Sequence, residues 1–244
     1  MNRILDFLFP EKCACCGEVV EYGRGTPFCR TCLVKWESEK FRLRKAFGEV
    51  PVFEYAQPDG VDRNLGRVIC TVPYNPEDKS SAAACLLFKL KRHATKRVVD
   101  FAAMELSSLL REALPELFCQ GIIGTDVVIA YVPRRRESTM KYGYDHMELC
   151  ARAVAKRVNV RCFPLLKRQS GAYEQKHLGR EGRAENAHKS IYLSRKFNID
   201  RKTVILLDDI VTTGASLNAC AELLYEAGAK LVVTAALAVT RREI

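Results

Sequence analysis

Residues 203–216 of the chain read TVILLDDIVTTGAS, in which an apolar run, two acids and a turn of small residues follow one another. The apolar run at 204–207 is typical of a strand that is buried on both faces of a parallel sheet. Apolar residues then recur at helical spacing from Leu217 to Leu224, and Gly228 is placed to end that helix. The segment therefore predicts a strand, an acidic pair, a small-residue turn and a helix, which is a repeating unit of α/β folds.

The two acids, Asp208 and Asp209, follow the predicted strand directly, at what would be the carboxyl edge of a sheet. Carboxylates suit sugar hydroxyls or a hard cation such as Mg²⁺. The turn at 212–216 adds hydroxyls, a glycine and the amides of a helix N-terminus, which together form an anion site. A ligand that offers a phosphate to the turn, and hydroxyls or a bound metal to the carboxylates, is a phosphorylated ribose. The alternative is a connection that merely caps a helix, but a cap needs one Ser, Thr or Asp rather than this whole string.

This segment resembles the phosphoribosyl pyrophosphate (PRPP) motif of the phosphoribosyltransferases: an apolar strand, two acids, two variable residues, Thr-Thr-Gly, a small residue and Ser. The resemblance implies that Asp208 and Asp209 are the catalytic acids that hold the ribose hydroxyls, and that the turn wraps the 5′-phosphate. It also implies Mg²⁺ as a cofactor. The PRPP-binding residues expected from the motif are Asp208, Asp209, Val211, Thr212, Thr213, Gly214, Ala215 and Ser216.

The composition is that of a folded, basic protein. The 244 residues, 48% of them hydrophobic, suffice for one α/β domain of usual size with a small appendage. The net charge of +10 fits an anionic substrate, a nucleic acid or a basic solvated surface, and does not choose among them. A signal peptide and an apolar run near the ~20 residues of a membrane span are both lacking, so we expect a cytoplasmic protein.

Five of the eleven cysteines fall within the first 32 residues. Cys13 with Cys16, and Cys29 with Cys32, form two C-x2-C hooks separated by 12 residues, which predicts a closed, structural zinc site with four thiolate ligands. Cys15 is then not needed as a fifth ligand. The alternative is a set of buried or redox thiols unrelated to a metal. We interpret residues 1–37 as a zinc ribbon that the metal holds together.

Residues 38–118 are predicted to contain a linker, a hairpin around 68–74 and a basic helical region. The helical pattern runs from Ser81 to about Leu114, and a polar interruption near 93–96 favours two helices. His93 lies among charged residues, which indicates a surface histidine rather than a ligand.

Residues 119–244 are predicted to form an α/β domain with a parallel sheet flanked by helices. Its expected elements are strands at 126–133, 162–166, 191–193, 203–207 and 230–239, and a helix at 143–158. Arg134, Arg135 and Arg136 follow the first of these strands, where they could bind pyrophosphate, although a solvated basic loop is the alternative. The polar segment 167–189 is predicted to be a mobile functional loop that closes as a lid.

With both motifs placed, the whole chain resembles the ComF family, competence-associated proteins in which an N-terminal zinc ribbon precedes a phosphoribosyltransferase domain. Lys89 matches a lysine in the family's middle helix, and Val132-Pro133 matches the end of its first strand. Five further residues match its polar loop: Arg168, Gln175, Leu178, Arg183 and Asn186. The chain departs from the family at 142–146, where Arg-Gly-Phe-Asn-Gln is replaced by Tyr-Gly-Tyr-Asp-His.

The resemblance implies a PRPP-binding protein with Mg²⁺ and zinc, linked to competence and DNA uptake. Phosphoribosyl transfer is the implied reaction, and single-stranded DNA and the competence machinery are implied partners. The alternative is a non-catalytic protein that handles single-stranded DNA or docks onto a partner. Its basic segments at 40–45 and 89–97 would then contact phosphates.

Overall fold

The computed structural model describes residues 10–20, 25–54, 66–118, 126–169, 190–194 and 196–241. The strands there are β1 (Val52–Glu54), β2 (Arg67–Tyr74), β3 (Val127–Tyr131), β4 (Arg161–Cys162), β5 (Leu166–Arg168), β6 (Ile191–Leu193), β7 (Thr203–Val211) and β8 (Leu231–Thr240). The helices are α1 (Arg30–Phe47), α2 (Ala82–Arg92), α3 (Lys96–Ala113), α4 (Pro115–Phe118), α5 (Arg136–Tyr142), α6 (His146–Val158) and α7 (Ala215–Glu226).

Six strands form one sheet in the order β1-β2-β8-β7-β3-β4. Strands β2, β8, β7, β3 and β4 are parallel to their neighbours, and β1 pairs antiparallel with β2 at the edge. The central strand β7 is the one predicted from the apolar run at 204–207, and those four side chains are fully buried. The predicted α/β class, a mostly parallel sheet flanked by helices, is confirmed.

The two faces of the sheet pack against different sets of helices. Ile205 and Leu207 of β7 belong to the core shared with α2, α3 and α6. Val204 and Leu206 belong to the core shared with α7 and with residues of β5 and β6. The same alternation puts Asp208 and Asp209 on opposite faces, and it ends there, because Ile210 packs against the first core and Val211 belongs to the second.

The N-terminal segment packs on the α2–α3 side of the sheet. The rings of Phe28 and Trp36, both fully buried, lie 5.4 Å from the ring of Phe101 in α3. Helix α1 runs without a break through residues 37 and 38. The division of the chain at 1–37, 38–118 and 119–244 stays a prediction.

The helical region after Ser81 follows the sequence pattern closely. It is two helices, α2 and α3, as the polar interruption near 93–96 indicated. The Ser81 and Thr95 hydroxyls cap them by accepting hydrogen bonds from the Ala84 and Val98 amides. His93, between the helices, is exposed, as predicted.

In the part of the chain that the structure describes, no helix is both long enough and apolar enough to cross a membrane.

Three predicted elements differ from the structure. Residues 68–74 lie in the single strand β2, which pairs in parallel with β8; an antiparallel pair is formed between the start of β2 and the preceding strand β1, so the predicted hairpin does not turn within 68–74. The predicted strand at 162–166 is two strands, β4 and β5, separated at Pro164, which has no N–H for a ladder. Strand β6 does not return to the main sheet and instead pairs antiparallel with β5. Most of the predicted lid, at 170–189, lies outside the described residues.

Candidate functional site

The acidic pair lies within β7, which continues through Asp208 and Asp209 to Val211 rather than ending before them. The alternation of the strand places Asp209 on the side of α2 and α6, and Asp208 on the side of α7. Asp208 accepts a hydrogen bond through Oδ1 from the backbone amide of Asp209, at 2.8 Å. Two neighbouring carboxylates therefore face different surroundings.

Asp209 is buried and bonded on one oxygen by two side chains. His146 Nε2 lies 2.5 Å from Asp209 Oδ2, and Lys91 Nζ lies 2.9 Å from the same atom. Burial alone would raise the pKa of Asp209, but Lys91 and His146 outweigh it and hold the pKa well below its ordinary value. Asp209 is therefore ionised at neutral pH.

Asp208 has the opposite electrostatic character. Burial first, and then the charge of Asp209, raise the pKa of Asp208 to about 8, although Lys91 and Arg168 act against them. Near neutral pH the pair therefore carries about one negative charge instead of two. A ligand that brings a hard cation or hydroxyl donors would stabilise the doubly ionised pair, and oxygen atoms are the ligands that Mg²⁺ prefers. The donor set thus fits magnesium.

The turn after β7 leads into the N-terminus of α7. Gly214 is the residue before the helix and has φ 76°, a left-handed conformation that favours glycine. Glycine has no side chain with which to cap the helix, and the Thr213 hydroxyl makes a long 3.5 Å contact with the Ala215 amide. Thr212 is exposed. The first-turn amides of α7 and these hydroxyls thus form the geometry of an anion site.

The basic cluster after β3 divides into two kinds of residue. The Arg134 guanidinium donates to the Lys91 carbonyl at 2.8 Å and to the Tyr144 carbonyl at 3.4 Å, and it lies 4.7 Å over the Tyr142 ring. Arg134 therefore joins the loop after β3 to the end of α2. Arg135 and Arg136 are exposed.

A groove of about 640 Å³ lies between the loop after β3, the start of α6 and the small β5–β6 sheet. Arg168 lines it and donates to the Ser190 hydroxyl at 3.2 Å. Burial first, and then the charge of Arg135, lower the pKa of Arg168, whose charge also acts on Asp208. The groove is therefore electrostatically coupled to the acidic pair. Its other charged lining residues are Arg134, Arg136, Lys167, Asp145 and Glu148.

The predicted zinc ligands are brought together. The sulfur atoms of Cys13, Cys16, Cys29 and Cys32 all lie within 4.8 Å of one another. A tetrahedral Zn²⁺ with bonds of about 2.3 Å would set its sulfurs about 3.8 Å apart, so the four thiols could close on one ion with small adjustments. Cys15 Sγ lies instead 3.1 Å from Cys85 Sγ of α2, outside the set of four.

Residues 149–243 match the family model described as the phosphoribosyl transferase domain. This part of the chain is a phosphoribosyltransferase-type domain. No curated protein matches the chain. The domain contains the acidic pair and the whole turn, whereas Lys91, Arg134 and His146 lie outside the matched range.

Solved structures with similarity to the chain include two enzymes named as phosphoribosyltransferases and one named as a PRPP amidotransferase. A purine phosphoribosyltransferase from Pyrococcus horikoshii Ot3 is 22% identical with a TM-score of 0.35, over 58% of this chain and 73% of that one. The glutamine PRPP amidotransferase from B. subtilis is 15% identical with a TM-score of 0.38, over 62% of this chain and 30% of that one. A hypoxanthine phosphoribosyltransferase from Trypanosoma cruzi is 16% identical with a TM-score of 0.36, over 59% of this chain and 66% of that one. The similarity thus spans less than a third of the B. subtilis chain.

Two site residues were missed by the sequence analysis. Lys91 was passed over for Lys89, which matched the family pattern, and His146 was noted only as a departure from that pattern. A helical signal for Lys91 exists, because it continues the i, i+4 row of the buried residues Ala83 and Leu87. His146 had no comparable signal, since its partner lies 63 positions away.

Proposed function

We propose that this protein binds PRPP with Mg²⁺ and transfers the phosphoribosyl group to an acceptor. The observation that carries the proposal is the adjacent acidic pair in β7 followed directly by the glycine-led N-terminus of α7. Carboxylates that can bind hydroxyls, followed directly by a helix end that can bind an anion, suit a ribose 5-phosphate. The match of residues 149–243 to the phosphoribosyl transferase domain supports it.

Each part of the site has a role in that reaction. Asp208 and Asp209 would hold the ribose hydroxyls and stabilise the positive charge that develops on the ribose as pyrophosphate leaves. Val211, Thr212, Thr213, Gly214, Ala215 and Ser216 would bind the 5′-phosphate. Bound Mg²⁺ would neutralise charge on the pyrophosphate leaving group.

Three arginines are proposed to attract the pyrophosphate. Arg135 and Arg136 are exposed beside the groove, and Arg168 lines it close enough to Asp208 for their charges to interact. Arginine binds phosphate oxygens in a bidentate manner, so the cluster suits this anion. Arg134, the third residue of the predicted cluster, would act indirectly by holding the loop against α2.

Isothermal titration of the zinc-loaded protein with PRPP tests this function. Binding that requires Mg²⁺, and that is lost in Asp208→Asn/Asp209→Asn, is the expected result. Asp126→Asn is the matched control, because that side chain is 85% exposed at the start of β3, away from the acidic pair. If the wild-type protein does not bind PRPP with Mg²⁺, or if the double variant binds as the wild type does, the proposal is wrong.

We also propose the finer assignment, a cytoplasmic member of the ComF family with structural zinc on Cys13, Cys16, Cys29 and Cys32. The four-cysteine cluster before a phosphoribosyltransferase-type domain supports the assignment. A role in competence and DNA uptake follows from it, and so does the division into a zinc ribbon at 1–37, a linker and helical region at 38–118, and a domain at 119–244. Loss of transformation in a deletion strain, restored by the intact gene, would test that role.

A second candidate function is handling of single-stranded DNA, and one feature of α2 favours it. The ring of Phe88 is 50% exposed and Arg92 lies 4.7 Å over it, beside the exposed His93 and Lys96. An exposed ring among cations can stack on a base while the cations meet phosphates. Steeply salt-dependent binding of a single-stranded oligonucleotide, weakened by Phe88→Ala, would support this function. If the wild type and Phe88→Ala bind the oligonucleotide equally, Phe88 no longer favours the single-stranded DNA function.

A further inference from the structure

The buried acid of the pair is held by residues that lie outside the matched domain. Lys91 reaches Asp209 Oδ2 from the last turn of α2, and His146 reaches the same atom from the first residue of α6. His146 is 5% exposed, and the side chain of Lys91 is 38% exposed. Two elements from the first 148 residues of the chain thus converge on one oxygen atom of the motif.

The start of α6 is fixed by a single carboxylate, which orients His146. Asp145 Oδ1 accepts from the Met147 amide at 2.9 Å and caps the helix. Asp145 Oδ2 accepts from the Arg134 amide at 2.9 Å, which connects the loop after β3 to the same cap. The residues that differ from the ComF pattern at 142–146 therefore build a defined contact rather than leaving a gap.

The end of α2 is fixed to the same loop. The Arg134 guanidinium donates to the carbonyl of Lys91, so the backbone that carries the ammonium group is held from the side of β3. Tyr144 adds a contact, because its hydroxyl accepts from the Ala94 amide at 3.0 Å. The contacts of Arg134 and Tyr144 therefore hold the end of α2 in the position from which the Lys91 ammonium contacts Asp209.

Both contacts are made to Oδ2 of Asp209, so they do not occupy its other oxygen. A carboxylate bonded by a cation and an imidazole on one oxygen is fixed in orientation, and its second oxygen keeps its lone pairs for a ligand. We propose that Lys91 and His146 are positioning residues for PRPP, which hold Asp209 in the orientation that leaves Oδ1 for the ribose hydroxyls. This inference rests on the proposed function and adds two residues to its site.

A purely structural ion pair would behave differently. If Lys91 and His146 only stabilised the fold, their loss would lower the melting temperature and leave the affinity of the folded protein for PRPP unchanged. If they position Asp209, affinity falls in a folded protein and returns with a side chain that restores the contact. Affinity and melting temperature, measured together, separate the two roles.

The experiment compares Lys91→Met with Lys89→Met in the zinc-loaded, full-length protein. Both changes remove one positive charge from α2, but Lys89 makes no contact with Asp209 among those that the described residues show. We expect Lys91→Met to weaken Mg²⁺-dependent PRPP binding about tenfold or more, as for loss of a charged hydrogen bond, and Lys91→Arg to recover most of the affinity. Lys89→Met is expected to stay within about twofold of the wild type.

The histidine is tested in the same way. His146→Leu removes the donor and should weaken binding about tenfold or more, whereas His146→Gln keeps an N–H donor and should recover much of the affinity. If His146→Leu or Lys91→Met does not fold, His146→Ala and Lys91→Ala, which also lack a donor, replace them under the same criteria.

Several outcomes would overturn the inference. Wild-type affinity in folded Lys91→Met and His146→Leu would refute it while leaving the proposed function intact. If Lys89→Met and Lys91→Met lose PRPP affinity equally, the loss is due to the positive charge of α2 in general, and the positioning role is refuted. Absence of PRPP binding in the wild-type protein would refute the proposed function itself, and the inference with it.

Discussion

Replacing Asp208 by Asn should stabilise the ligand-free protein while removing its ability to bind PRPP. Burial and the neighbouring charge of Asp209 raise the pKa of Asp208 from 3.8 to about 8. At pH 7 the folded protein therefore keeps a proton that the unfolded chain releases. At about 1.36 kcal/mol per pH unit, the interval from 3.8 to 7 corresponds to about 4 kcal/mol. Because the side chain is partly exposed and solvent screens it, we expect a gain of about 2–4 kcal/mol in the free energy of unfolding.

The sign of the pH dependence follows from the raised pKa. Between about pH 4 and pH 8 the carboxyl of Asp208 is more protonated in the native state than in the unfolded state, so its contribution to the free energy of unfolding falls as pH rises. The contribution of Asp208 is fully present below about pH 4 and is lost as pH rises through about 8. Asn does not titrate, and its Oδ1 can still accept from the Asp209 amide. The advantage of Asp208→Asn should therefore be smaller at pH 5 than at pH 7 and largest near pH 8.

Urea unfolding of the zinc-loaded wild-type protein, Asp208→Asn and Asp126→Asn at pH 5, 7 and 8 measures these differences. Asp126→Asn changes an exposed carboxylate and should follow the wild type at each pH. An Asp208→Asn protein that is no more stable than the wild type at pH 8 would refute the reasoning. A gain of equal size at pH 5 and pH 8 would also refute it, because a packing effect and not a titration would then be responsible.

Three further predictions test other parts of the structure. Cys32→Ser should abolish stoichiometric zinc binding, whereas Cys15→Ser should retain one zinc per chain, as measured by a chelator-release assay; equal zinc contents would contradict the ligand assignment. Gly228→Ala should lower the free energy of unfolding by about 1–3 kcal/mol, because Gly228 has φ 92° and an added Cβ would lie 2.7 Å from Asp200 Oδ1. Glu39→Gln should lower it by about 1–3 kcal/mol in urea unfolding, since one of two amides at the start of α2 would lose its acceptor; an unchanged midpoint would contradict this.

The parts of the fold that the sequence predicted are those whose signals are local. The β7–turn–α7 unit is coded by an apolar run, a small-residue turn and Gly228, all within about thirty residues. The C-x2-C hooks could also be predicted from local sequence, because two thiolates on one tight turn already have the geometry of metal ligands. The split of the helical pattern after Ser81 was marked by polar residues at the break itself.

The contacts that local patterns do not encode are those made between distant elements. Asp209 meets Lys91 and His146 across more than sixty positions each, and these pairs depend on how α2 and α6 dock on the sheet. Lys89 and Lys91 lie on either side of the buried Leu90, so composition alone does not choose between them. Strand β6 was assigned to the wrong sheet because its three residues pair with β5 at a distance along the chain that no turn signal bridges.

Helix α2 connects the cysteine cluster to the acidic pair through direct contacts. Glu39 of α1 accepts from the Ala82 and Ala83 amides through its two carboxylate oxygens, at 2.8 and 2.9 Å, and so holds the first turn of α2. Helix α1 itself begins between Cys29 and Cys32, so closure of the cluster fixes the start of α1. The last turn of α2 places Lys91 on Asp209. A metal bound by the four thiols would therefore stabilise the helix that carries Lys91, and the N-terminal segment would support the contact between Lys91 and Asp209.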